Sequence, residues 1–298
     1  MYRMSKEQDK TKILVTGASG QLGQCIQKIE ENYPSLKMHF TDSQALNITK
    51  KREIEHFFVD KSFDFVINCA AYTNVEQAEK ESEKAFLVNA EGVKNLAEVC
   101  KEQNSTLIHV STDYVFDGKK QSPYTEEDIP NAINEYGKSK LKGEQYIQNI
   151  CRKYFIIRTS WLYSEFGNNF LKTILKKAEE GEELTITISE TGTPTNANDL
   201  AKFIIEVILT NTYRYGIYHY SNLGEATWYD FASKILSVLG KLESVILKKT
   251  DNYSTFAPRP EYSILDMVKT KQTFFVSPIK WGSSLSKFLK KQLLSKLN

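Results

Sequence analysis

With 298 residues, 41% of them hydrophobic, the chain is long enough for one large domain or two modest ones around a real core. Lysine plus arginine number 39 against 37 aspartate plus glutamate, a net charge of +2, and no concentrated basic stripe argues for nucleic acid. The cysteines Cys25, Cys69, Cys100 and Cys151 form no CxxC-type pair, no apolar run is long enough to span a bilayer, and Met1 to Thr11 lack the apolar stretch of a signal peptide. These features predict a cytoplasmic protein of a reducing compartment, not bound to membrane, with a loose tail over residues 1–11.

In chain order, Lys12 to Thr16 (KILVT) is a β-rich apolar run. It meets Gly17-Ala18-Ser19-Gly20-Gln21-Leu22-Gly23, which opens a helix-compatible stretch to about Glu31, broken by Pro34. A glycine turn between strand and helix lets a pyrophosphate approach the main chain. The helix N-terminus adds free N–H donors and partial positive charge. The spacing is GxxGxxG, unlike the GxGxxG of typical dehydrogenases. Leu36 to Thr41 reads as a second strand ending at Asp42, where an acid can accept hydrogen bonds from an adenosine ribose. Such an acid disfavours a 2′-phosphate, whereas nearby Lys50 and Arg52 could serve one, so the cofactor expected is NADPH or NADH. A strand-end turn residue is the alternative role for Asp42.

Lys50 to Asp60 reads as a helix with Ile54, Phe57 and Phe58 inward, and Phe63 to Cys69 as a third strand. A helix (Ser82 to Gln103), a strand (Thr106 to Ser111), a loop, a helix (about Glu135 to Asn149) and a strand (Tyr154 to Thr159) follow. Strands alternating with such helices predict a parallel sheet covered on both faces. Beyond Thr159 the pattern predicts helices at Asn169 to Glu180, Asn198 to Leu209, Trp228 to Leu239 and Leu285 to Leu297. Strands are predicted at Leu184 to Ile188 and Gly216 to Ser221, with a turn-rich stretch at Glu190 to Thr195. Lys287, Lys290, Lys291 and Lys296 form the wet face of the last helix. The expected fold is α/β: a doubly wound, Rossmann-type, mostly parallel sheet with a smaller C-terminal α/β substrate domain. The division expected is 1–160 and 161–298, with elements near 190–222 returning to the sheet.

In an open α/β sheet, ligands sit outside the carboxyl ends of the strands. The third strand ends in Asn68-Cys69-Ala70-Ala71-Tyr72-Thr73, whose small alanines allow close approach, and the fourth ends in Ser111-Thr112-Asp113-Tyr114. Tyr136 and Lys140, four residues apart, share one face of the next helix. A neighbouring ammonium favours phenolate and lowers a tyrosine pKa toward the range useful for proton transfer. Thr112, Tyr136 and Lys140 would converge where a nicotinamide would lie.

Together the GxxGxxG turn, Asn68-Cys69-Ala70-Ala71, Thr112 and the YxxxK of residues 136–140 resemble an extended short-chain dehydrogenase/reductase. STDYVFDG (111–118), AAYTNVEQAE (70–79), VNAEGVKNLA (88–97), YGKSKLKGE (136–144) and RTSWLY (158–163) resemble the dTDP-4-dehydrorhamnose reductase family. So do GNNF (167–170), TGTPT (191–195) and APRPEYSIL (257–265), so the resemblance covers most of the chain. It implies reduction of the C4 ketone of dTDP-4-dehydro-L-rhamnose to dTDP-L-rhamnose. Tyr136 would donate the proton, Lys140 would hold the nicotinamide ribose and lower the tyrosine pKa, and Thr112 would hydrogen-bond the substrate. Lys138 would be solvated and dispensable.

The implied cofactor contacts are Gly17, Ser19, Gly20, Gln21, Leu22, Gly23, Asp42, Asn47, Ile48, Ala70, Ala71 and Tyr72, with Tyr136 and Lys140. The implied substrate contacts are Thr112, Asp113, Trp161, Asn169 and Arg259, whose guanidinium suits a diphosphate. Asn168 and Asn169 could bind the sugar or cap a helix. The family commonly has aspartate at the Asn47 position, and some relatives are dimers bridged by Mg²⁺ through a glutamate just after the glycine loop. Gln24-Cys25-Ile26 supplies no carboxylate there, so no metal is expected, and a homodimer is left open. Two alternatives go with the resemblance. One is a reductase or epimerase of a related nucleotide deoxyhexulose. The other is a non-catalytic NADP-binding subunit like the regulatory subunit of methionine adenosyltransferase, which would have no chemical reason to keep Thr112, Tyr136 and Lys140 together.

Overall fold

The structure, a computed structural model, describes residues 10–295. Most of the expected tail, and Lys296 and Leu297 of the expected last helix, lie outside the described residues, while Thr11 already belongs to the first strand. The first half comprises β1 (Thr11–Thr16), α1 (Gln21–Ile29), β2 (Leu36–Thr41), α2 (Lys51–Phe58), β3 (Phe65–Asn68), α3 (Val75–Ala78), α4 (Ser82–Phe86), α5 (Gly92–Glu102), β4 (Thr106–Thr112), α6 (Glu135–Ile150) and β5 (Tyr154–Thr159). There follow β6 (Leu162–Tyr163), α7 (Phe170–Glu180), β7 (Leu184–Thr187), β8 (Thr191–Gly192), β9 (Thr195–Asn196), α8 (Ala197–Leu209) and β10 (Gly216–His219). The chain closes with β11 (Ala226–Thr227), α9 (Trp228–Val238), β12 (Leu247–Thr250), α10 (Val268–Phe274) and α11 (Trp281–Ser295).

Six strands form one sheet in the order β10-β5-β4-β3-β1-β2, and every neighbouring pair is parallel. Alternate residues feed two different cores, as the strand period of two requires. Ile13, Val15, Ile67, Ile108, Phe155 and Ile157 face α1 and α8, meeting Leu22, Ile26, Leu200 and Ile204. Leu14, Val66, Leu107 and Ile156 face α2, α5 and α6, meeting Ile54, Leu96 and Ile147. A sheet buried on both faces needs nearly continuous apolar strands, which is what these sequences supply. The chain leaves β1 for the edge strand β2 and returns past β1 to β3, so the winding reverses between β1 and β3 and opens a crevice there. A separate core of Tyr163, Leu171, Ile174, Leu184, Phe231, Ile235, Leu285 and Leu289 holds α7, β7, α9 and α11 together beside the sheet. β10, reached through α8, is the sixth strand of the large sheet.

Three expectations are corrected. The helix predicted over Ser82 to Gln103 is interrupted by a π turn at Leu87–Glu91. The turn buries Asn89, whose side chain holds the Tyr72 main chain on both sides (N–H to Oδ1 at 2.8 Å, Nδ2 to O at 2.9 Å) and donates to Ser139 Oγ at 2.9 Å. A polar residue in mid-helix thus ties α6 to the loop after β3, where π turns often serve sites. The last helix starts at Trp281 rather than Leu285. α10 and β12 were not anticipated: α10 buries Thr270 and Thr273 with Phe274, and β12 has two exposed lysines in LKKT, so neither shows an apolar period. Phe57 does point inward as expected, packing half-buried against the α2-side core and stacking on Phe63.

Candidate active site

At the switch point, Gly17 takes φ 69°, and a Cβ there would lie 2.5 Å from the Ala70 nitrogen. Only glycine lets the turn cross so close to β3. Gly20 is the N-cap of α1 and no side chain caps the first turn, leaving N–H groups free toward the crevice. These features fit a dinucleotide's pyrophosphate, which needs main-chain donors and an uncluttered cradle.

A cleft runs from this turn across the ends of β3, β4 and β5 to α7 and α9. Of the expected residues it brings together Gly20, Gln21, Leu22, Ala71, Thr112, Asp113, Tyr136, Lys140, Trp161 and Asn169. Asn134 caps α6 by accepting from Gly137 N–H at 2.7 Å, which sets the register of the Tyr136–Lys140 face. The Tyr136 ring packs edge-on against Tyr114, with centroids 5.9 Å apart. Burial pushes the phenol up to about 12, a Thr112 hydrogen bond pulls the other way, and the Asp113 charge adds to the rise. Lys140, 2% exposed, donates from Nζ to the Val110 carbonyl at 2.6 Å. Burial holds its ammonium down to about 8. The expectation that Lys140 lowers the Tyr136 pKa is therefore not met in this geometry: desolvation dominates, and the amine is turned toward the sheet.

Asp113 is 2% exposed, accepts from Thr112 Oγ1 at 3.1 Å, and its Oδ2 has no partner. Burial pushes its carboxyl up to about 7 against the pull of hydrogen bonds from Ser263 and Thr112. The folded protein thus keeps a proton that the unfolded chain, at its ordinary 3.8, has lost, so stability falls as pH rises between those values. Asp113→Asn is expected to raise the thermal midpoint above wild type at and above pH 7. The gain should disappear as pH falls below 3.8, measured by denaturation at both ends. A gain independent of pH would remove the buried charge as its cause.

Trp161 sits at φ 43°, in the left-handed region that a bulky residue rarely adopts. It is held by a parallel stack on Trp228 (3.7 Å, 5°) and by Gly192, where a Cβ would lie 2.4 Å from the indole. Asn169 accepts from Lys172 N–H as the cap of α7, and its Nδ2 donates to Gln21 Oε1 at 2.7 Å, joining the two sides of the cleft. Its capping role holds; its amide is already engaged in protein contacts.

Other expected residues lie outside the cleft. Asp42 Oδ1 accepts from Gln44 and Ala45 N–H at 3.0 and 2.9 Å, a turn role, with its second oxygen left over. Asn47 Oδ1 is taken by Thr49 N–H and Oγ1 at 3.0 and 2.8 Å. The Ile48 side chain is core, packed where Gly92 makes room, so only its main chain could meet a ligand. Tyr72 turns its hydroxyl to Glu81 at 3.1 Å. Ser19 and Gly23 belong to the glycine turn, Ser19 exposed and Gly23 buried against the Gly17 carbonyl, and Ala70 lies beneath Gly17. Arg259 pairs with Glu76 at 2.8 Å and leaves its Nε buried without a partner. Lys138 is half-exposed, paired with Glu135.

Sequence reasoning did not single out Trp228 and Phe231 in the cleft wall, Glu76 beside Arg259, Glu144 against Arg158, or His109 beside Lys140. Cys69 is half-buried and lines the cleft, while the other three cysteines are buried, and all four are free. Among the described residues no cluster of three His, Cys, Asp or Glu is placed to hold a metal, and no helix is long and apolar enough to cross a membrane.

A doubly wound parallel sheet, a glycine turn at its switch point and a YxxxK helix facing the end of β4 define the extended short-chain dehydrogenase/reductase class. The family model described as the RmlD substrate binding domain matches residues 11–294. The chain belongs to that family, the dTDP-4-dehydrorhamnose reductases. It is 40% identical to the dTDP-4-dehydrorhamnose reductase of Aggregatibacter actinomycetemcomitans, over 92% of this chain and 97% of that one. It is 37% identical to the spore coat polysaccharide biosynthesis protein SpsK of Bacillus subtilis, over 95% and 98%. Among solved structures it is similar to a Bacillus anthracis dTDP-4-dehydrorhamnose reductase in complex with NADP. That match has a TM-score of 0.90 and 37% identity, and covers 95% of this chain and 99% of that one.

Proposed function

We propose that this protein reduces the C4 ketone of dTDP-4-dehydro-L-rhamnose to dTDP-L-rhamnose with NADPH or NADH, in the cytoplasm, as a supply step for cell-surface polysaccharide. The observation that carries this reading is the convergence of Thr112, Tyr136 and Lys140 on the cleft that begins at the glycine turn. Residues 1–160 would serve as the cofactor domain and 161–298 as the nucleotide-sugar domain.

A reduced nicotinamide, when bound, supplies hydride to the carbonyl carbon. Gly17, Gly20 and the first turn of α1 would hold its pyrophosphate, and Ala70 and Ala71 would leave room beside β3. Negative charge then develops on the carbonyl oxygen, and preorganised donors aimed at it lower the barrier. Tyr136 keeps its proton throughout the neutral range because burial raises its pKa, so it can give that proton to the forming alkoxide. Thr112 would turn its one hydroxyl proton from Asp113 Oδ1 to the same oxygen or its neighbouring hydroxyl. The Trp161–Trp228 stack gives the sugar a rigid apolar wall, and Asp113 Oδ2, free of protein partners, can accept from a sugar hydroxyl. Arg259 would exchange Glu76 for the diphosphate.

The test is oxidation of NADPH and NADH, followed by the absorbance of the reduced nicotinamide, with enzymatically generated dTDP-4-dehydro-L-rhamnose. No turnover with either cofactor sinks the substrate assignment. Turnover of only a different dTDP-4-keto sugar reassigns the protein to a related deoxyhexulose. Asp42→Ala should shift the kcat/KM ratio toward NADPH, because its spare carboxylate oxygen repels a 2′-phosphate. An unchanged ratio would leave Asp42 only its turn role.

A further inference from the structure

The helix that opens the pyrophosphate cradle also carries a stripe of side chains that the reaction leaves without a role. Gln21, Cys25 and Lys28 stand at i, i+4 and i+7 of α1, so they share one face. All three meet one stretch from the other half of the chain, residues 162–169, which runs from β6 to the cap of α7. Gln21 Nε2 donates to the Leu162 carbonyl at 3.2 Å, and Gln21 Oε1 accepts from Asn169 Nδ2 at 2.7 Å. The Cys25 thiol sits against the Ser164 hydroxyl. Lys28 pairs with Glu165, whose second oxygen accepts from Asn198 Nδ2 at 2.9 Å on α8. Gly167, at φ 64°, runs so close that a Cβ there would lie 3.5 Å from the Gln21 Cβ. The hydrogen-bond directions at Gln21 have one solution. Asn169 Oδ1 accepts from the Lys172 main-chain N–H at 3.1 Å, so the Asn169 nitrogen faces Gln21. That nitrogen only donates, so Gln21 presents its carbonyl oxygen there and its amide nitrogen to the Leu162 carbonyl, which only accepts.

We propose that Gln21, with Lys28 two turns further on, is a positioning residue that couples the two ligand sites of the cleft. Its main-chain N–H belongs to the uncapped first turn that faces the dinucleotide. Its side chain holds the opposite wall, since Leu162 follows Trp161 and the stretch ends at Asn168, Asn169 and Phe170, all of which line the cleft. A dinucleotide that orders the first turn of α1 therefore also orders residues 162–169. The second ligand then meets a wall already in place and is spared the cost of ordering it. By linkage, the second ligand strengthens binding of the dinucleotide by the same factor. Lys28 and Glu165 hold the middle of the stretch from outside the cleft, so the strap is gripped at both ends of the helix face. The coupling rests on reading the second ligand as a nucleotide sugar. The strap between α1 and residues 162–169 does not depend on that reading.

Hydrogen exchange followed by mass spectrometry, with NADP⁺ as the probe, reads the strap without any substrate. Saturating NADP⁺ should slow exchange over residues 162–169 of the wild type. Gln21→Met keeps the side-chain length and the helix propensity but makes no amide hydrogen bond. In that variant the slowing should persist in the glycine turn and be lost over 162–169. Lys28→Met, which touches neither ligand, should reduce it in part, and it keeps the test open if Gln21→Met does not fold. Equal slowing in the wild type and both variants would overturn the proposal, because the protection would then come from the ligand's own contacts. No slowing over 162–169 in the wild type would overturn it as well. Calorimetric titration with thymidine diphosphate, with and without saturating NADP⁺, reads the coupling. The affinity gain expected in the wild type is on the order of tenfold, falling toward none in Gln21→Met. A gain that the variants leave unchanged overturns the coupling, since a merely structural role lowers the thermal midpoint and not this ratio. If thymidine diphosphate does not bind at all, the nucleotide-sugar reading fails, while hydrogen exchange still decides the strap.

Discussion

Tyr136→Phe is expected to lower kcat by roughly 10²–10⁴-fold, the usual worth of a positioned general acid. The ring stays, so its edge contact with Tyr114 and the α6 packing survive, and the thermal midpoint should be close to wild type. Cofactor affinity should also hold, because the glycine turn and α1 are untouched. The measurement is kcat beside nicotinamide binding followed by fluorescence. Burial keeps the wild-type phenol protonated far above neutrality, so ketone reduction should show no acid-side loss traceable to this group. Turnover near the wild-type rate in the variant would sink the assigned mechanism without touching the fold.

Glu144→Ala is expected to be the most destabilising single change in the cofactor half. Glu144 and Arg158 are 0% and 1% exposed, joined by contacts of 3.0, 3.3 and 2.7 Å between α6 and β5. Removing one partner leaves a buried, uncompensated guanidinium, at a cost of roughly 3–5 kcal/mol. For a chain of this size that lowers the thermal midpoint by on the order of 10 °C. The guanidinium cannot escape easily, since it packs 5.1 Å over the Phe116 ring and its Nη1 already lacks a partner. Replacing both residues with apolar ones, Glu144→Met with Arg158→Leu, should recover most of the loss, because no charge then remains to be solvated. Thermal denaturation of the single and double variants checks this. A single-variant loss within about 1 kcal/mol would mean that water reaches Arg158.

What could be read locally was the scaffold of the site. The strand KILVT running into Gly17-Ala18-Ser19-Gly20 is legible because a tight turn with a close main-chain approach admits only glycine, whatever surrounds it. The alternation of apolar runs with helical periods reports a sheet covered on both faces, because burial on each face forces that pattern. Tyr136 and Lys140 share a face through helix geometry alone, and Thr112 ends its strand beside them.

What the amino-acid order alone determined, then, was the doubly wound sheet, the glycine turn and the helix face that carries the phenol and the amine. The tertiary structure decided which partners these groups meet. Lys140 turns to Val110 and His109 rather than to Tyr136, Trp161 is pinned by Trp228 and Gly192, Arg259 is held by Glu76, and Asp42 and Asn47 spend carboxylate and amide oxygens on their own turns. Spacing along a chain reports torsion preferences and periodic burial, which are local. Which donor faces which acceptor across strands and helices far apart in sequence depends on strand register and side-chain packing, which exist only once the chain has closed on itself.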